Sequence, residues 1–407
     1  MRRLTVSLLL LPVLCVNTAA FRVGQARAPS PTSNSAGEPE FESLGVQGNV
    51  ALYNLEYEKA SKAFEQMTRL AADHPAGYFY LGNNLWLERL NRSRRLSSSL
   101  YSSGSFYSDT AETVDQVHEE KFKAAINKAL AVAESRLKRD PKDVTSLYYK
   151  GAALGIRAAY KVTVNRSYRT AFGDANASVG IHKRVVKLDP DFTDANLSIG
   201  FYDYVVGNLP FGLRFLARLV GIKGSKASGI ALLEKVAEHG KHASDDARVL
   251  LIGIYARERK YEKALAVLGY LSGKYPRNYL FGIERAAMLY RLGRTEEGAR
   301  AFSELRNDDH IAADAKDVVN YQFGEALTEA RNYASAVEAY KAVIDWPGSD
   351  KGLVTLAHLR AGQALDALGK RADAVKEYNW VLQHPNVYDS QAVANKYKKN
   401  AYAPIKR

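Results

Sequence analysis

Apolar residues recur three and four positions apart from about Val46 to near the end of the chain. This spacing places the apolar side chains along one face of an α-helix, so it predicts a long series of amphipathic helices. We find no run that alternates apolar and polar residues as a half-buried strand does. The pattern therefore predicts an all-α fold.

The helical pattern returns at regular intervals in the second half of the chain. Equivalent positions of successive first helices are Ile252, Ala286, Gly324 and Gly362, which lie 34, 38 and 38 residues apart. In each interval a small residue and a large one follow, one turn apart: Ala264 with Leu268, Gly298 with Phe302, Ala336 with Tyr340, and Ala374 with Tyr378. Small residues let two helices cross closely, a large residue fills the remaining gap, and a proline such as Pro276 ends the second helix.

This pattern resembles the tetratricopeptide repeat, a helix–turn–helix unit of 34 residues. The resemblance implies a right-handed α-solenoid. In the first half of the chain the corresponding small residues are Gly82, Gly151 and Gly200, with irregular separations of 69 and 49 residues. We therefore expect about seven to eight units with two insertions.

The N-terminus has the layout of a secretory signal peptide. Two arginines precede an apolar run from Leu4 to Val16, and small residues suited to cleavage follow at 18–20. We expect the protein to be exported, to the periplasm or in association with the outer membrane or another part of a cell envelope. The predicted organisation is a signal peptide at 1–20, a disordered linker at 21–43, divergent repeats at 44–242, regular repeats at 243–388 and a basic tail at 389–407.

The charge and the motifs narrow the function. The net charge of +13 is compatible with nucleic acid, anionic lipid or an acidic partner, but the charges are spread along the chain and solubility alone also explains them. Export makes a nucleic-acid partner unexpected. The sequence contains no GxxxxGK[ST] loop, no HExxH and no GxSxG. His239 and His242 are interpreted as solvated side chains near a helix end, so we expect no metal, no cofactor and no enzymatic activity.

The first helices of tetratricopeptide repeats line a concave groove, so the resemblance marks a set of groove positions. They are Phe79, Asn83, Trp86, Tyr148, Phe201, Tyr204, Arg257, Tyr290, Arg291, Tyr321, Glu325, Gln363 and Asp366. Their aromatic members are suited to anchoring a protein or peptide. The alternative is that several of them pack between repeats. Only Asn83 fits the family's carboxylate-binding pattern.

Two insertions interrupt the repeats. The serine-rich stretch from Ser93 to Asp109 is an inter-helix loop or a loop that clasps a ligand. The second, from Tyr204 to Gly229, predicts a short basic and apolar helix that packs into the core or binds a membrane surface or hydrophobic ligand. The candidate contact residues there are Leu209, Phe211, Arg214, Phe215 and Arg218. Residues 204–234 also resemble a segment of the Iml2/TTC39 family.

These observations lead to one function hypothesis and one alternative. The first is a non-enzymatic, exported scaffold that binds protein in a concave groove, in envelope assembly or complex formation. The alternative is a periplasmic carrier or transporter accessory that holds a hydrophobic small molecule. An open groove favours the first and an enclosed apolar cavity the second.

Overall fold

A computed structural model describes residues 38–96, 115–212, 214–215, 223–309, 311 and 315–404. These residues form seventeen α-helices and no strand. The helices are α1 Glu38–Tyr53, α2 Tyr57–Leu70, α3 Pro75–Arg92, α4 Gln116–Arg139, α5 Val144–Thr163, α6 Tyr168–Leu188, α7 Asn196–Gly207, α8 Lys226–His239, α9 Ser244–Arg257, α10 Tyr261–Lys274, α11 Tyr279–Arg291, α12 Thr295–Asn307, α13 Lys316–Glu329, α14 Tyr333–Ile344, α15 Lys351–Ala367, α16 Arg371–Gln383 and α17 Ser390–Lys399. None of the helices in this part of the chain is both long enough and apolar enough to cross a bilayer.

The helices follow one another as eight first-helix and second-helix pairs, from α1–α2 to α15–α16, and α17 comes last. They group into two compact units. Unit 1 takes its described residues from 1–89 and 111–254, and unit 2 from 90–110 and 255–407. The prediction of an all-α fold of tetratricopeptide-like helix pairs is confirmed.

A glycine at the crossing point brings the two helices of a pair into close contact. A Cβ added at Gly324 of α13 would lie 2.5 Å from the ring of Tyr340 in α14. The equivalent distance from Gly362 of α15 to Tyr378 of α16 is 2.6 Å. In both pairs the tyrosine follows the glycine by sixteen positions and is fully buried. The missing side chain is therefore filled by an aromatic ring from the partner helix.

Unit 1 uses the same crossing despite its irregular spacing. A Cβ at Gly82 of α3 would lie 2.4 Å from Ile126 in α4, and one at Gly151 of α5 would lie 2.4 Å from His182 in α6. Here the second residue follows much later because the helices and the segments between them are longer; α4, for example, has 24 residues. The longer elements therefore change the spacing without changing the contact.

The turns from first to second helix also repeat. In six of the pairs the second residue after the first helix has a left-handed backbone. The φ values are 63° at Leu55, 57° at Arg94, 55° at Arg259, 77° at Gly293, 61° at Arg331 and 73° at Gly369. This conformation ends a helix and starts a tight reversal. Only two of these six positions hold glycine, so the sequence marks the turn incompletely.

The ends of the repeat array differ from the predicted boundaries. Helix α1 begins at Glu38, inside the predicted linker, and α17 lies inside the predicted basic tail with Ser390 and Ala394 fully buried. Unit 1 ends at Ile254, and the change from divergent to regular repeats after residue 242 stays a prediction. The predicted signal peptide and most of the Ser93–Asp109 insertion lie outside the described residues.

The first prediction concerns the helix crossing. Replacing Gly324 by alanine is expected to lower the free energy of unfolding by about 1–3 kcal/mol, because the added methyl group overpacks against the buried Tyr340 ring. Urea unfolding followed by circular dichroism measures this change.

The matched control is Gly269→Ala in the middle of α10, where an added Cβ has no neighbour within 4 Å. This variant is expected to gain about 0.5–1 kcal/mol, because alanine loses less backbone entropy in a helix. Equal effects of the two substitutions would contradict the crossing contact.

Candidate functional site

The first helices of unit 2 carry a line of ion pairs. Arg291 at the end of α11 contacts both carboxylate oxygens of Glu329 in α13, at 2.9 and 3.2 Å. The Nε atom of Arg360 in α15 lies 3.0 Å from Oε1 of Glu325 in α13. Both pairs join neighbouring repeats, so they fix the spacing of the first helices as well as placing charge on them.

At the helix crossings, tyrosine hydroxyls from the second helices contact carboxylates on the first helices. The Tyr340 hydroxyl donates to Glu325 at 2.6 Å and lies 3.1 Å from the Thr328 hydroxyl. The Tyr378 hydroxyl donates to Asp366 at 2.8 Å. Thr328 and Asp366 both lie four residues after the crossing glycine, so the two repeats place a polar group at equivalent positions.

The charges in this line are mutually stabilised. The Glu325 carboxylate raises the pKa of the Arg360 guanidinium. Burial, together with the Glu325 charge, raises the pKa of the Tyr340 hydroxyl well above its usual range. Arg360 therefore stays protonated and Tyr340 stays a hydrogen-bond donor across the physiological pH range.

The C-terminal segment of the chain lies against the last repeat. The main-chain N–H of Tyr402 donates to Oδ2 of Asp366 at 2.8 Å. Arg371 donates to the main-chain oxygens of Tyr397 and Lys398 at 2.9 and 2.6 Å, and also pairs with Asp366 at 2.9 Å. Residues 401–404 have no regular secondary structure. Arg371 thus binds carbonyls at the C-terminal end of helix α17, and the irregular segment after it is held through the main-chain N–H of Tyr402.

A second segment reaches the N-terminal ends of the first helices in unit 2. Arg94 lies 3.2 Å from a carboxylate oxygen of Asp317, which is buried in the first turn of α13. Arg95 is only 1% exposed, and its Nε atom donates to the Tyr388 hydroxyl at 2.5 Å. The Tyr279 hydroxyl donates to Asn91 at 3.1 Å. The sequence pattern predicts an inter-helix or ligand-clasping loop from Ser93 onward and carries no sign of these contacts.

No protein-family model matches the chain. No curated protein sequence matches it either. A tetratricopeptide repeat protein from Parabacteroides merdae is 13% identical, with 78% of this chain and 97% of that chain covered and a TM-score of 0.33. Human IFIT1 as a dimer with m7Gppp-AAAA is 13% identical, with 91% and 81% covered and a TM-score of 0.43. The P58(IPK) tetratricopeptide domain is 14% identical, with 88% and 89% covered and a TM-score of 0.22.

The helix pairs described above, with their small crossing residues, decide the fold. The chain has a tetratricopeptide-repeat fold. The resemblance of residues 204–234 to the Iml2/TTC39 family stays a prediction.

The groove residues predicted in unit 1 of this tetratricopeptide-repeat chain lie in its interior. Phe79, Asn83, Trp86, Tyr148, Phe201 and Tyr204 are all less than 9% exposed. The Trp86 indole donates to the Thr163 hydroxyl at 2.9 Å, and the Tyr148 ring stacks on His182. In this conformation they pack between helices, as the alternative interpretation supposed, and their role as partner anchors stays a prediction.

The groove residues predicted in unit 2 are divided between core and surface. Tyr290 packs against Phe302 and Tyr321 against Tyr340, and both are at least 90% buried. Arg291 is in its ion pair and Arg257 is exposed. The polar positions Glu325, Gln363 and Asp366 all contact other polar groups; Gln363 is buried and accepts from Arg360 at 3.0 Å.

The second insertion is partly described. Phe211 is 79% exposed and Phe215 is 55% exposed, whereas Leu209 is half-buried. Arg214 donates to the main-chain oxygen of Gly207 at 3.2 Å. Arg218 lies outside the described residues, and a membrane or ligand role for this helix stays a prediction.

The histidines correct one expectation. His239 is exposed as predicted, but His242 is buried, and burial lowers its pKa to about 3. The tetratricopeptide core of unit 1 buries two more: the pKa values of His74 and His182 are lowered to about 4, mainly by burial. Within the described part of the chain, no three His, Cys, Asp or Glu side chains are placed to hold a metal ion.

The buried histidines predict acid sensitivity. In the unfolded chain a histidine takes up a proton near pH 6.5, whereas folded His182 resists protonation down to about pH 4. The stabilisation of the folded protein by neutral His182 is therefore fully present above pH 6.5. As the pH falls towards 4 it is lost, and the free energy of unfolding decreases by about 3 kcal/mol because of this residue.

Urea unfolding at pH 7, 6, 5 and 4 measures this loss. The His182→Gln variant is expected to lose less stability between pH 6.5 and 4 than the unsubstituted protein. The exposed His239→Gln control is expected to keep the original slope. A slope unchanged by His182→Gln would contradict the assignment.

Proposed function

We propose that this chain is a non-enzymatic scaffold that binds a protein or peptide along the first helices of unit 2. The tetratricopeptide fold supports a binding role, since such repeats present extended surfaces made of successive first helices. The side chains of those helices, and not the fold, select the partner. The argument therefore depends on what the first helices of unit 2 present.

The observation that carries the proposal is the capture of main-chain groups at the last repeat. Asp366 accepts the main-chain N–H of Tyr402 from a segment without regular secondary structure. Hydrogen bonds to charged groups are stronger than those between neutral groups. Because every residue except proline offers a main-chain N–H, this contact suits an irregular polypeptide and gives affinity with little dependence on sequence.

Selectivity would come from the charged side chains along the same helices. Glu329 has 46% of its side chain exposed although it pairs with Arg291, and Arg257 is exposed at the end of α9. Complementary charges orient a partner and exclude partners of the wrong sign. The partner is thus an extended segment with charges placed to match this line.

Export to a cell envelope is part of the proposal. It is supported by the arginines and the apolar run at the N-terminus of the sequence. Determining the N-terminal residue of the protein recovered from an envelope fraction tests it: a new N-terminus near residue 21 is expected, and an intact Met1 would contradict cleavage.

The binding proposal predicts the effect of a charge reversal. Glu329→Lys is expected to reduce capture of the partner about tenfold, equivalent to about 1.4 kcal/mol, because it places a positive charge beside Arg291. The measurement is quantitative crosslinking of the purified protein to its envelope fraction, with nuclease present and absent. Thermal unfolding shows whether the variant remains folded.

The matched control is Glu338→Lys on the second helix α14, where the carboxylate is 74% exposed. Glu338 lines a depression of about 560 Å³ with Lys341 and Asp373. Loss of capture in this control instead would place binding at the depression. If nuclease abolishes capture, the partner is a nucleic acid and not a protein. If native mass spectrometry shows a retained small molecule, the alternative function as a carrier of a hydrophobic small molecule is favoured.

A further inference from the structure

The segment after helix α17 lies against the last repeat, on the surface proposed to bind the partner. Helix α17 ends at Lys399, and the segment 401–404 that follows has no helical or strand hydrogen bonds of its own. Here the N–H of Tyr402 is bonded to Asp366, and its ring lies edge-on to Tyr397 with a centroid distance of 5.2 Å.

The acceptor for this segment is built into the repeat. The Asp366 side chain is 0% exposed and accepts from Arg371, from the Tyr378 hydroxyl and from the Tyr402 N–H. A carboxylate has about four acceptor positions, and the first two donors belong to the repeat itself. The Tyr402 N–H therefore occupies the acceptor position that an incoming chain would use.

The ring of Tyr402 adds a side-chain contact. Burial raises the pKa of its hydroxyl, and so do the neighbouring Tyr333 and Tyr397 hydroxyls. The ring is half-buried and packs against Tyr397 of helix α17.

We propose that the segment Ala401–Pro404 is an internal ligand of unit 2, and that the partner is an extended peptide of the same chemistry. This inference rests on the proposed function. The partner segment carries a tyrosine with a free main-chain N–H at the position of Tyr402. It displaces the chain's own segment when it binds.

Covalent attachment makes this competition effective. A segment tethered next to its site has an effective concentration on the order of millimolar. A free peptide binds only to the fraction of molecules whose site is open, so its apparent affinity falls by that fraction. Weakening the internal segment is therefore expected to strengthen binding of a peptide added in solution.

The test uses the full chain and a synthetic probe. The probe is a fluorescent peptide with the sequence of residues 398–404, Lys-Lys-Asn-Ala-Tyr-Ala-Pro, amidated at its C-terminus. Fluorescence anisotropy measures its binding to the unsubstituted protein, to Tyr402→Pro and to Tyr402→Phe. Proline removes the N–H donor and the ring together, whereas phenylalanine keeps both the donor and an aromatic ring.

The expected result is binding to Tyr402→Pro at least tenfold tighter than to the unsubstituted protein, with Tyr402→Phe close to the latter. A second probe, N-methylated at its tyrosine, keeps every side chain but lacks the donor, so it is expected to bind Tyr402→Pro at least tenfold more weakly. This comparison involves no change in the protein and is independent of folding defects in the variants. A third variant that ends at Asn400 is expected to behave as Tyr402→Pro does.

Three outcomes would overturn the inference. Equal binding to the unsubstituted protein and to Tyr402→Pro would show that the segment does not occupy the site, while leaving the proposed function intact. Equal binding of the methylated and unmethylated probes would show that the tyrosine N–H of the probe makes no hydrogen bond to Asp366. Absence of probe binding to every variant, with Glu329-dependent capture retained, would show that the partner does not resemble the internal segment.

Discussion

The close crossing of the first and second helices is the contact on which each repeat depends. An α-helix buries its apolar face well only when a neighbour can approach it, and a glycine at the crossing removes the side chain that would hold the neighbour away. The residue that fills the space is large: Tyr340 opposite Gly324, Tyr378 opposite Gly362 and Phe64 opposite Gly48. Small and large residues therefore work as a pair, and neither has the same effect alone.

This crossing also builds the candidate binding surface. A tyrosine that enters from the second helix carries its hydroxyl through the core to the first helix, where it reaches Glu325 or Asp366. The buried ring fixes the position of the hydroxyl, and the hydroxyl fixes the carboxylate. Packing and polar recognition in unit 2 are consequently properties of the same side chains, so a substitution at a crossing tyrosine is expected to affect both.

Two segments outside the repeat pairs complete unit 2. Arg94 and Arg95 bring positive charge to a buried aspartate and a tyrosine ring, and the segment after α17 brings a main-chain donor to Asp366. Burial of charged groups is costly unless each has a partner, so these contacts specify where the segments lie. The surface that the repeats create is thus partly covered by the chain itself.

The sequence by itself determined the helices, the order of first and second helices and the residues at which they cross. These depend on local spacings: apolar residues three and four apart within a helix, and small residues that recur from one first helix to the next. The same kind of small residue marked Gly82 and Gly151 in the irregular first half, but only the structure showed that they face Ile126 and His182. Local spacing did not reveal the aromatics of unit 1 as core, because groove and core positions alternate on one first helix and both favour aromatic side chains. Only the tertiary structure decided that Arg94 reaches Asp317, 223 residues away, and that Arg95 reaches Tyr388, 293 residues away. Contacts at such separations leave no periodic trace in a single sequence, because they depend on how many repeats lie between the two ends and on the path that those repeats take.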